Sequence, residues 1–139
     1  MQNNCLWPVF ERFLHDSELF FEVLNVAGNS ISGLEIAKKW TQDTSLIQAI
    51  YNFFDRTQIE GKERMVESGW VLWRIAKQTP MPIEPFWYDK VIFCAKVLLG
   101  SKDADMVFEG VCILAVMTRS QDERIIDMVC QDKTLGVLC

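Results

Sequence analysis

Two stretches of this chain echo one another. Met65-Val66-Glu67-Ser68-Gly69-Trp70-Val71-Leu72 returns 41 residues later as Met106-Val107-Phe108-Glu109-Gly110-Val111-Cys112-Ile113. Each echo follows a shorter segment ending in a double apolar pair, Phe53-Phe54 before the first and Leu98-Leu99 before the second. A third copy lies upstream, with Val9 to Leu14, a break at Asp16-Ser17, and then Glu18 to Ala27. A period of this length belongs to units of two or three helices that cannot bury their apolar faces alone and become stable by stacking. The 139 residues hold three to four such units.

The periodicity inside the units is helical. Leu46, Ile47, Ile50, Phe53 and Phe54 fall on one stripe of a helix that Thr44 or Ser45 can cap. Tyr88, Val91, Ile92, Ala95, Leu98 and Leu99 form a second such stripe, stopped by Gly100. The longer segments carry more apolar surface. From Lys62 to Lys77, residues Met65, Gly69, Leu72, Trp73 and Ala76 make one core face, and Ser68, Val71 and Ile75 make a flank. Glu63, Glu67, Trp70 and Arg74 are the strip left for solvent. From Asp105 to Met117 the chain is apolar nearly all round, which predicts a helix covered on most sides. Val, Ile and Thr nowhere alternate with polar residues for long, so the class is all-α.

Breaks fall between these segments. Gly28-Asn29-Ser30 is read as the end of one long helix, Thr79 to Pro82 with Pro85 as the end of the next, and Arg119 to Asp122 as the end of the last. A short amphipathic piece follows two of the breaks, Leu34 to Trp40 and Glu123 to Cys130, while Pro85-Phe86-Trp87 is expected to be only a turn. The expected organisation is one domain, 1–139, with approximate units 1–30, 31–79 and 80–119 and a partial unit 120–139.

At the level of motifs, Ser68-Gly69-Trp70-Val71-Leu72-Trp73-Arg74-Ile75-Ala76 resembles the third helix of an armadillo repeat of the importin-α kind. Asn25-Val26-Ala27-Gly28 is similar to the end of the same pattern, and Gln121 to Cys130 with Gly136-Val137-Leu138 is similar to the stretch joining one repeat to the next. The resemblance implies a right-handed superhelical stack of about three armadillo- or HEAT-like repeats. It also implies a non-enzymatic module that binds an extended peptide or a partner protein, as a nuclear-import adaptor does. In that family a Trp and an Asn one turn apart recur along a concave groove; the Asn bonds the ligand backbone and the Trp rings clasp Lys and Arg stems. Here Asn25 holds the Asn position with Phe21 in place of Trp, and Trp70 holds the Trp position with Arg74 in place of Asn. The third unit has Val111 or Cys112 and Ala115 or Val116 there. Phe21, Asn25, Glu63, Glu67, Trp70 and Arg74 are therefore the candidate partner-binding residues. The two glutamates attract a basic peptide and Arg74 opposes it. Two other assignments stay open: Trp70 packed against a neighbouring repeat, and Asn25 near a helix end. A structural or assembly module, self-associating or docking through its repeat ends, is the alternative function. The apolar Gly136-Val137-Leu138-Cys139 is one candidate surface for it.

The remaining chemistry is sparse. Half the residues are apolar, which excludes a globally disordered chain, and the net charge of −5 argues against nucleic-acid binding. Five cysteines without a CxxC are read as reduced thiols, and with His15 the sole histidine no Cys/His metal site is expected. Asp103-Ala104-Asp105 is read as a helix start, and His15-Asp16, adjacent in sequence, cannot face one another on a helix. No catalytic residue, cofactor or membrane partner is expected, and the location expected is intracellular, in cytoplasm, nucleus or both.

Overall fold

The computed structural model describes residues 6–16, 18–56 and 61–131. They form eight α-helices and no strand: α1 Leu6–Leu14, α2 Phe20–Ser30, α3 Leu34–Gln42, α4 Leu46–Asp55, α5 Lys62–Ala76, α6 Tyr88–Leu99, α7 Ala104–Thr118 and α8 Glu123–Gln131. A 3-10 turn, Pro85–Trp87, leads into α6, as the prolines there require. The chain is all-α, and its helices lie where the periodicity places them. No helix among the described residues is long and apolar enough to cross a membrane.

Several helix ends are made by side chains. Asp103 caps α7, its carboxylate accepting from the amides of Asp105 at 2.9 Å and Met106 at 3.3 Å. Lys62 bridges Asp103 and Asp105 at 3.0 and 2.9 Å. The start of α4 is held from a distance. The Ser45 amide and hydroxyl both donate to the Glu11 carboxylate of α1, each at 2.6 Å. Ser45 thus does not cap α4 with its own side chain; a carboxylate from another helix sits at the positive end of its dipole. Thr44 Oγ1 adds a contact, accepting from the Leu46 amide at 3.2 Å.

The helices pack in two rows. In one, α2 lies on α5 and α5 on α7; in the other, α1 contacts α4, α4 contacts α6 and α6 contacts α8. The rows meet chiefly where α6 lies against α7, with α1 against α2 at the other end. Leu24, Leu46, Ile50, Leu72, Ile75, Leu98, Ile113 and Met117 are fully buried between them. Trp40 is also fully buried, its ring against Trp7 and Phe10 and its Nε1 donating to Ser30 Oγ at 2.9 Å.

Helix α2 ends at Ser30, within the Gly28-Asn29-Ser30 break. Three other expectations are corrected here. Trp73 is half-buried at the α5–α7 seam, not enclosed with Met65, Gly69, Leu72 and Ala76. Helix α7 is not covered on most sides, because Phe108 and Val111 are 58% and 50% exposed. Among the thiols, Cys94 and Cys112 are free, but Cys130 is disulfide-bonded, contrary to the expectation of reduced cysteines throughout. Residues 136–139, the expected apolar end, lie outside the described residues.

Candidate interaction site

The candidate residues do converge, but on one another. Gly28 of α2 comes to rest against the face of Trp70 on α5, where a methyl group would lie 2.7 Å from Trp70 Cε3. No side chain other than hydrogen fits, so this glycine serves close helix approach. The recurrence is regular. Gly28, Gly69 and Gly110 stand at intervals of 41 residues, all buried, and at Gly69 a methyl group would meet Glu109 Cβ of α7 at 2.9 Å.

Arg74 completes the α2–α5 seam. Its Nε donates to the carbonyl of Gly28 at 2.9 Å and its Nη2 to that of Ile31 at 2.6 Å. These carbonyls lie at the C-terminal end of α2, where the helix has no partners of its own to offer. The guanidinium also stands 5.2 Å from the centre of the Trp70 ring. One turn back, Asn25 Nδ2 donates to Glu67 Oε2 at 3.3 Å, and Arg64 lies 5.9 Å from the Phe21 ring. Burial pushes the Glu67 carboxyl up, with Asn25 pulling it back in part. Asn25 lies within α2, not at its end, and its carbonyl and side chain both accept from Asn29. Glu63 is exposed on the first turn of α5 and stands apart from this set.

The structure thus brings Phe21, Asn25, Glu67, Trp70 and Arg74 to one seam and uses them to join α2 to α5. Arg74 does not stand free to repel a cation, and Trp70 takes the packing role left open by the sequence.

A different surface is left open by the described residues. Val111, Leu114, Ala115 and Thr118 of α7 face Ile126 and Val129 of α8 across a groove of about 480 Å³ whose wall is almost wholly apolar. Ile126 is 40% exposed, and Phe108 extends the apolar stripe by one turn along α7. Sequence reasoning missed this surface because a helix apolar on every side has no stripe to show which side is left open. Its one signal was the absence of polar residues opposite Gly110 and Ile113.

The described residues contain no group of three or more His, Cys, Asp or Glu side chains arranged to hold a metal ion. No protein-family model, curated protein or solved structure matches this chain.

Proposed function

We propose that this chain is a non-enzymatic protein-interaction module that docks a partner protein across the α7–α8 end of a helical-repeat stack. In this reading the two rows of helices are a right-handed superhelix of about three armadillo- or HEAT-like units. The 41-residue spacing of Gly28 and Gly69, each set against the next helix of the row, supports it, since stacked units of equal size meet at equivalent positions; Gly110 approaches α6 instead. The observation that carries the function is the exposed apolar face of Phe108, Val111 and Ile126 beside its groove. A contiguous apolar face on a folded protein marks an interaction surface. Along the row, α5 covers α2 and α7 covers α5, so the position that covers α7 suits a helix of a partner or of a second copy.

The other reading is an extended basic peptide along α2, α5 and α7, as in a nuclear-import adaptor. It requires Asn25, Glu67, Trp70 and Arg74 to leave the contacts they already make. Sedimentation of the wild type and of Val111→Asp and Ile126→Asp, with pull-downs by the same three proteins, separates the readings. The docking reading expects an assembly or a captured protein that both substitutions abolish while the far-UV spectrum is unchanged. A wild type that stays monomeric at high concentration and captures nothing dependent on Val111 or Ile126 overturns it.

A further inference from the structure

The side of the molecule formed by the 3-10 turn and the α3–α4 corner holds the most exposed large apolar side chain among the described residues, Phe86, at 67%. It is not a loose side chain. Pro85 opens the turn, the Trp87 amide donates to the Glu84 carbonyl at 2.8 Å, and the Phe86 ring rests on that of Trp87 with centroids 4.4 Å apart. An aromatic held outward on a rigid turn loses little freedom when a partner covers it. The open cleft in front of it is lined by Glu11, Asp43 and Glu84, together with Phe86, Trp87 and the polar α3–α4 corner. No lysine or arginine is among the residues that line it.

The three carboxylates differ in what they have left to give. Glu11 is engaged with the amide and hydroxyl of Ser45. Asp43 pairs with Lys39 at 3.3 Å, a surface pair that an incoming cation can displace at small cost. Glu84 is exposed and makes no ion pair among the described residues. Of the two rings, Trp87 is already approached by Lys90, 6.0 Å from its centre, which leaves Phe86 for a new cation.

From this arrangement we infer that the cleft receives an arginine or lysine side chain of a partner polypeptide, its stem lying on Phe86 and its charge shared by Glu84 and Asp43. An aromatic face with carboxylates at its rim selects a cation by quadrupole and by charge together, and rejects an acidic segment. The site is separate from the α7–α8 end, so the failure of either leaves the other standing.

The test is a titration of the full chain, labelled for NMR, with the amides of tri-arginine, tri-lysine and tri-glutamate at low and at high salt. Saturable shifts at the Trp87 indole N–H and the Phe86 ring are expected with the two cationic peptides and not with tri-glutamate, and salt should weaken them. Phe86→Ala should lower the affinity about two- to fivefold, as loss of an exposed cation–π contact does, and Phe86→Tyr should retain it. Glu84→Gln should weaken binding, whereas Glu63→Gln, on exposed α5, should not. Both target side chains are exposed, so the variants keep the fold. Absence of saturable shifts, equal binding of tri-glutamate, indifference to Phe86→Ala and Glu84→Gln, or an equal effect of Glu63→Gln overturns the assignment.

Discussion

The indole Nε1 of Trp73 donates to Oε1 of Glu109 over 2.6 Å, tying α5 to α7 through a carboxylate that is only 8% exposed. Glu109 lies where the first echo carries Ser68, itself fully buried, so the recurrence places a buried polar residue beside the glycine in both helices.

This pair makes stability depend on pH. Burial pushes the Glu109 carboxyl up from 4.5; the Trp73 indole pulls it down in part, and the charges of Asp105 and Glu67 add to the rise. An acid whose pKa is raised on folding binds more protons in the folded state, so its unfavourable contribution grows as pH rises from 4.5 through the raised value and is complete above it. Glu109→Gln keeps an acceptor for Trp73 and removes the charge. Its urea midpoint should exceed that of the wild type at about pH 8 and approach it at about pH 5. An advantage larger at the lower pH would contradict this.

Gly28→Ala should destabilise the protein, although alanine in a helix interior normally gains about 0.5–1 kcal/mol over glycine. The new methyl group meets the Trp70 ring, and overpacking of this kind costs about 1–3 kcal/mol. Gly33→Ala, with nothing within 4 Å, should stay within about 0.5 kcal/mol of the wild type. In a double-mutant cycle Trp70→Ala should cost less in the Gly28→Ala background than in the wild type. Thermal or urea unfolding of the four proteins gives the coupling; strict additivity would mean the ring does not lie on Gly28.

Arg74→Met should cost about 1.5–3 kcal/mol, because the carbonyls of Gly28 and Ile31 lose a charged donor while the stem is retained. Arg74→Lys should recover only part, since one ammonium does not reproduce a fork that serves two carbonyls at once. Amide exchange in the last turn of α2 should accelerate in both variants. If Arg74→Lys matches the wild type in midpoint and exchange, the guanidinium geometry is not what holds the seam.

Thiol reactivity should separate two cysteines. Cys94 is 1% exposed, and burial pushes its thiol well above the ordinary range; half-buried Cys112 is raised too, by burial and then by the Glu109 charge. Iodoacetamide should leave Cys94 unmodified in the native protein and react slowly with Cys112, as followed by peptide mass mapping. Native modification of Cys94 as fast as in urea would be incompatible with its place between α6 and the core.

What could be read from the sequence is what local spacing encodes. The stripe Leu46, Ile47, Ile50 and Phe54 marked α4, Gly100 marked the end of α6 and Asp103 the start of α7, each through residues within one or two turns. The contacts that join helices have no such local sign. Glu11 serves Ser45 from 34 residues away, and Arg74 serves Gly28 from 46. Trp70 has polar neighbours on the helical wheel, which leaves solvent and packing both open, yet those same neighbours, Arg74 and Glu67, turn to α2 for partners. Gly28 sits in the last turn of α2, where the local pattern puts the helix end, but its second service, close approach to the Trp70 ring, has no local sign.

The two-row arrangement has a mechanical consequence. Within the row α2, α5 and α7, α5 stands between the other two, so tension applied between α2 and α7 passes along that row through its two seams in series. The α2–α5 and α5–α7 seams are made of different materials, a guanidinium over an indole in one and a buried carboxylate on an indole in the other. They should therefore yield at different loads. Stretched along this row, the molecule should lengthen by discrete steps, and acid or salt should change the order in which those steps occur.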